Sequence, residues 1–138
     1  MKSSIIYYGI IPLGGSKMND YIINFLKEIM AIDSPSGYTK EVIHHCQKEA
    51  ENLGFHTHQT NKGNLEIYVE GQDDYTVGFC GHVDTLGLMV RSIKSDGTLA
   101  YTNVGGPIIP TLDGEYCRIH TRSGKCYTGT ILSNYPAV

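Results

Sequence analysis

The sequence predicts an α/β protein in two parts, a helix-and-strand part followed by a part made of β-hairpins. Three observations predict it. Two stretches, at about residues 20–31 and 39–53, carry apolar residues at helical spacing. Residues 75–81 (YTVGFCG) form a nearly continuous apolar run without charge, the pattern of a strand covered on both faces inside an α/β sheet. After Thr85 the helical spacing disappears, and strand-like segments alternate with glycine-containing turns.

The elements follow in order. Asn19 is placed as an N-cap with Asp20 in the first turn, and Ile22, Phe25, Leu26 and Ile29 repeat at helical spacing, so residues 20–31 are predicted as an amphipathic helix. Asp33-Ser34-Pro35-Ser36-Gly37 breaks it. Thr39 is placed to cap a second helix whose inward stripe is Val42, Ile43, Cys46, Ala50 and Leu53, with Gly54 as its stop. Residues 55–60 and 65–70 read as two strands around the turn Asn61-Lys62-Gly63-Asn64. Gly71-Gln72-Asp73-Asp74 then turns the chain into the apolar run. Beyond it only strands are expected. Residues 86–93 and 98–103 flank Ser95-Asp96-Gly97, Val104-Gly105-Gly106-Pro107 turns the chain, and residues 115–121 and 125–131 flank Arg122-Ser123-Gly124.

Residues 1–17 hold a short apolar stretch that faintly imitates a secretory leader, but Pro12 interrupts it and no A-x-A-like site follows. They read as an upstream extension that need not belong to the native fold. The expected division is 1–17, 18–85 and 86–138.

Composition narrows the class. Of 138 residues, 41% are hydrophobic and 18% charged, the balance of an ordinary globular protein and not of a disordered one. A net charge of −3 and the absence of a basic stripe give no sign of a polyanion partner, and no nucleic-acid partner is expected. No apolar run reaches membrane-spanning length. Cys46, Cys80, Cys117 and Cys126 form no C-x-x-C pair, and read as free thiols in a reducing, cytoplasmic compartment.

His82-Val83-Asp84 carries the most chemistry. It follows the apolar run directly, and ligands bind beyond the C-terminal ends of strands in open α/β sheets. In an extended chain His82 and Asp84 point the same way. A metal-ligating imidazole usually donates its other ring N–H to a carboxylate, so His82 as ligand and Asp84 as its orienting group fit that chemistry. The plainer alternative is a strand-end histidine beside a turn-capping aspartate. Other features read as structural. His56-Thr57-His58 puts two imidazoles on one face of a strand, best read as a solvated edge. His44 and His45 read as helix surface, and Cys80 as a small buried residue. Asp73-Asp74, and Asp113 with Glu115, sit in turns and read as solvated loops, not as paired glycosidase carboxylates.

The run Phe79-Cys80-Gly81-His82-Val83-Asp84-Thr85-Leu86-Gly87-Leu88-Met89-Val90 resembles the metal-site segment of the tetrahedral, or deblocking, aminopeptidases, a family that includes glutamyl aminopeptidases and proteins once labelled cellulase M. Ser34-Pro35-Ser36-Gly37-Tyr38, Lys62-Gly63-Asn64-Leu65, Asp96-Gly97-Thr98-Leu99, Val104-Gly105-Gly106, Gly124-Lys125 and Gly129-Thr130-Ile131 are similar to family segments in the same order. The likeness runs from about Met18 to Asn134.

The resemblance implies a mixed-sheet α/β metallopeptidase-type catalytic domain with a small β-barrel domain inserted after the H-x-D segment. It implies a metal-dependent aminopeptidase acting on peptides, with two divalent ions, zinc or cobalt, that activate water and polarise the scissile carbonyl. It implies homo-oligomers from dimer to dodecamer. Carried onto this chain, His82 matches a metal ligand and Asp84 its orienting carboxylate. The family's bridging aspartate, general-base glutamate and remaining ligands are expected beyond residue 138, so no peptidase activity is expected of these residues alone. Two alternatives stand beside this reading: a non-catalytic assembly module acting through residues 86–131, and a related metallo-deacylase or carboxypeptidase.

Overall fold

In a computed structural model, which describes residues 15–72 and 74–133, the first helix starts earlier than the spacing predicts. Helix α1 spans Gly15–Ala31, so Asn19 and Asp20 lie inside it and Asn19 is not its cap. Nothing between Gly15 and Asp20 breaks a helix, and Lys17 and Met18 are good helix formers. The half-buried side chains are Tyr21, Phe25 and Ile29. Ile22 and Leu26, expected on the inward stripe, are 53% and 52% exposed.

Helix α2 (Lys40–Asn52) matches its predicted span. Thr39 occupies the N-cap position, but its side chain makes no capping hydrogen bond. Val42 and Ala50 are buried, whereas Leu53, expected on the same stripe, is half exposed as the C-cap. Gly54 stops the helix as expected, at φ +85°. Phe55 N–H donates to Ala50 O (3.0 Å) and Gly54 N–H to Glu51 O (2.9 Å), the paired bonds of a Schellman end.

The two helices pack through polar links and rings. Tyr21 Oη donates to Glu49 Oε1 at 2.8 Å. His45 Nε2 lies 3.0 Å from Glu28 Oε2, and its ring stacks on Phe25 at 5.7 Å. His45 is therefore a half-buried link between the helices and not free surface.

Strands β1 (His56–Gln59) and β2 (Leu65–Tyr68) pair antiparallel, each shorter than predicted. Thr57 faces α2, where its hydroxyl donates to Glu51 Oε1 at 2.9 Å. His56 and His58 therefore share the opposite, exposed face with Glu66 and Tyr68.

Residues 75–81 depart from the prediction. They form no ladder with any described residue, and Tyr75, Val77 and Phe79 are 72%, 63% and 95% exposed. An apolar run becomes a covered strand only where neighbouring strands and a second layer are supplied. Neither is found among the described residues. Cys80, expected to be buried, is exposed for the same reason. Of the preceding turn, Asp73 lies outside the described residues.

The chain divides into two compact units, Met1–Thr85 and Leu86–Val138. In the second, β3 (Gly87–Ile93) pairs with β4 (Leu99–Val104), with a bulge between Val90 and Ser92. Strand β5 (Tyr116–His120) pairs with β6 (Cys126–Thr130). No ladder joins these hairpins among the described residues. A 3-10 turn at Ile109–Leu112 stands where only strands were expected. Pro110 sets its φ, and a proline near a helical start loses no bond.

All three hairpins close alike. A glycine with positive φ (Gly63, Gly97, Gly124) donates its N–H to the carbonyl of the residue three before it. That residue (Thr60, Lys94, Thr121) in turn donates its N–H to the residue after the glycine, at 2.8–2.9 Å. The glycine is required because the left-handed position costs any other residue about 1–2 kcal/mol.

Candidate functional site

The H-x-D segment does not cap a formed strand. It is held instead by the junction between α1 and α2. Pro35 and Thr85 form an isolated parallel bridge, and Thr85 N–H donates to Ser34 O at 2.8 Å. Ser34 is fully buried, and its hydroxyl donates to Val83 O at 2.9 Å. The residues that the sequence marks as a helix breaker thus line up beside the residues it marks as chemical.

Within the segment His82 and Asp84 meet as expected. Nδ1 of His82 lies 3.1 Å from Asp84 Oδ1 and 3.1 Å from Asp84 O. The imidazole is 85% exposed and the carboxylate 40% exposed. With Nδ1 turned to acceptors, that nitrogen carries the proton of the neutral ring, and Nε2 keeps a lone pair facing outward. The second carboxylate oxygen, Oδ2, accepts a 2.5 Å bond from Ser36 Oγ. The Ser36 hydrogen bond, followed by that from His82, holds the Asp84 carboxyl below the usual carboxylate range. Asp84 therefore remains an acceptor through neutral and mildly acidic conditions.

Ser34 and Ser36 were not singled out as functional by the sequence. They lie 49 and 48 residues from their partners, and no local pattern links positions so far apart. The one available signal was a pair of hydroxyl residues flanking Pro35 where a plain breaker needs none.

The other marked residues take no part. His56 and His58 stay exposed, and no group of three or more His, Cys, Asp or Glu side chains converges on a metal position among the described residues. The Cys46 thiol is half-buried and pushed up by burial, the opposite of a reactive thiolate. A cavity of about 360 Å³ in the second unit is lined by Tyr101, Ile109, Pro110, Asp113, Ile131 and Leu132. Its Asp113 accepts the Ser133 N–H at 2.6 Å, so that carboxylate fastens a loop and makes no acid–base pair. No helix among the described residues is long and apolar enough to cross a membrane.

His82 thus presents an exposed imidazole with one ring nitrogen beside a carboxylate. Residues 63–138 match the model of the M42 glutamyl aminopeptidase family. The chain belongs to that family, which is one of peptidases. It is 40% identical over 117 residues to YhfE of Bacillus subtilis (strain 168), named as an aminopeptidase. That match covers 84% of this chain and 34% of YhfE. Its fold is similar to the crystal structure of a TET aminopeptidase from a marine sediment archaeon of the Thaumarchaeota, with a TM-score of 0.77 and 27% identity. The likeness covers 84% of this chain and 32% of that one. The chain thus spans about a third of the length of each of these relatives.

Proposed function

We propose that this chain supplies the first metal ligand, His82, and its orienting carboxylate, Asp84, to a metal-dependent aminopeptidase that releases N-terminal residues from peptides. The observation that carries the reading is the His82–Asp84 pair, with Nδ1 held at 3.1 Å and Nε2 open. The side chains present fit a metal in one respect: an outward lone pair on an imidazole whose proton is held elsewhere. One imidazole is not a complete site, since a catalytic zinc takes about three protein ligands. The further ligands and the general base would come from the larger part of the relatives' length that the match does not reach. Two ions, zinc or cobalt, complete the reading, and a bound ion would supply Lewis acidity toward a peptide carbonyl.

This chain's own part is to hold an imidazole. Asp84 accepts from Nδ1 and so keeps the proton off the ligating nitrogen. It also stabilises the positive charge that a metal draws onto the ring. The buried Ser34 and the Pro35–Thr85 bridge fix the backbone on either side of Asp84.

A homo-oligomer is part of the proposal, with residues 86–138 read as the start of an inserted β-barrel that carries contacts between copies. Exposed apolar side chains support it: Ile93 is 75% and Tyr116 80% exposed. Free thiols support a cytoplasmic setting. The test uses the full reading frame that carries this sequence, purified with zinc or cobalt and offered amino-acid anilides, short peptides and N-acyl amino acids. Cleavage of the first two is expected, and His82→Ala should lose bound metal. Hydrolysis of N-acyl amino acids alone would replace the reading with a deacylase. Unchanged metal content in His82→Ala would remove His82 as the ligand.

A further inference from the structure

Asp84 has two carboxylate oxygens, and each is committed. Oδ1 faces His82 Nδ1, and Oδ2 accepts from Ser36. The donor stands on a rigid support. Tyr38 N–H donates to Pro35 O at 2.7 Å, which makes residues 35–38 a β-turn with Ser36 at its first corner. Gly37 sits at the second corner with φ +87°, and Ser36 at the first has no positive φ, so the turn is type II. Pro35 holds the entry to the turn with its fixed φ and bridges Thr85, the residue after Asp84. The hydroxyl is therefore presented from a fixed backbone to a half-exposed carboxylate.

We propose that Ser36 is a positioning residue for the candidate metal ligand, acting through Asp84 on the imidazole of His82. It touches neither metal nor substrate. By taking Oδ2 it fixes the carboxylate plane and leaves Oδ1 aimed at Nδ1. The proton of the neutral ring is thereby kept on Nδ1, and Nε2 is left as the lone-pair nitrogen before any ligand arrives. Without the hydroxyl the carboxylate turns toward water, Nδ1 keeps only the backbone Asp84 O at 3.1 Å as a constant acceptor, and the ring populates the tautomer with its proton on Nε2 more than in the parent chain. That tautomer offers the wrong nitrogen. The inference rests on the reading of His82 as a ligand, and it adds a residue that the H-x-D pattern does not contain.

The experiment is long-range proton–nitrogen correlation NMR on the histidine-labelled 138-residue chain, at a pH where the ring is neutral, with His82 assigned by its loss in His82→Gln. In the parent chain the His82 proton is expected on Nδ1. Ser36→Ala should lower the Nδ1-H to Nε2-H ratio about threefold to tenfold, as the loss of one net hydrogen bond gives. Ser36→Thr should restore the parent ratio, and Ser36→Val, equal in shape to threonine but without the hydroxyl, should not. That pair decides the matter even if alanine disturbs the turn, with backbone amide spectra reporting the fold of each variant. Equal ratios in the threonine and valine variants, with a shifted ratio in Asp84→Ala, would overturn the role of Ser36 and leave the His82–Asp84 pair standing. No shift in Asp84→Ala would remove the pair itself. Neither result depends on metal, so failure of the ligand reading is seen separately in the metal content of His82→Ala.

Discussion

Replacing Ser34 by alanine tests whether the α1–α2 junction clamps the candidate site. The hydroxyl is fully buried and donates to Val83 O at 2.9 Å, so the substitution deletes one bond without adding volume. A neutral hydrogen bond contributes about 0.5–1.5 kcal/mol net, and a buried acceptor left unpaired costs about 1–3 kcal/mol. Closure of the H-x-D segment onto the junction should therefore weaken by roughly 1–3 kcal/mol. Amide exchange reads this directly, because Thr85 N–H donates to Ser34 O at 2.8 Å across the same contact. Since about 1.4 kcal/mol is a factor of ten, Thr85 protection should fall by between about fivefold and about 140-fold. Phe55 N–H, bonded at the end of α2, serves as the internal control and should keep its protection. Unchanged protection at Thr85 in a folded Ser34→Ala chain would refute the clamp. An equal fall at Thr85 and Phe55 would show that Ser34 supports the whole unit and not the segment.

Three further outcomes are expected. The Tyr21 hydroxyl is pushed up to about 12, first by burial and then by its bond to Glu49. Ultraviolet titration should show late-ionising tyrosine absorbance, to which Tyr68 also contributes through its bond to Glu66, and Glu49→Gln should bring the Tyr21 share of it down. The folded chain holds that proton more tightly than the unfolded one, so its stabilising effect is present below about pH 10 and is lost as pH rises toward 12. In the second unit, Gly105 has φ +79°, and an added Cβ would lie 2.6 Å from Leu86 Cδ2. Gly124 has φ +81° with nothing within 4 Å of such an atom. Gly124→Ala should therefore cost about 1–2 kcal/mol, the left-handed strain alone. Gly105→Ala should cost more, and equal melting temperatures for the two variants would contradict the packing at Leu86.

The parts of the fold that were legible in the sequence are those set by residues close together in it. The hairpin turns at Gly63, Gly97 and Gly124 and the end of α2 at Gly54 were readable because a left-handed residue is a local requirement that glycine meets alone without strain. The pairing of His82 with Asp84 was readable for the same reason, being two positions apart. What misled was the reading of long-range packing from composition. Residues 75–81 have the content of a covered strand, yet pairing and cover belong to neighbours, not to the run. Leu26 has helical spacing, but spacing does not say which part of an apolar stripe finds a partner. Ser36 lay beyond reach because its bond to Asp84 is a fact of tertiary placement.

The distance along the chain between the junction and the H-x-D segment also sets an order of events. The hairpins close between near neighbours, and such turns form on the microsecond scale. The bond from Ser34 to Val83 joins residues 49 apart, and closing a loop of that length costs about 3.4 kcal/mol of chain entropy by the (3/2)RT ln n rule. A single buried hydroxyl and a short bridge do not offset that until α2 and the β1–β2 hairpin have shortened the effective loop. The Ser34–Val83 contact is therefore expected among the last features of its unit to form during folding. The segment that carries the His82–Asp84 pair is thus anchored last, after the local elements around it have formed.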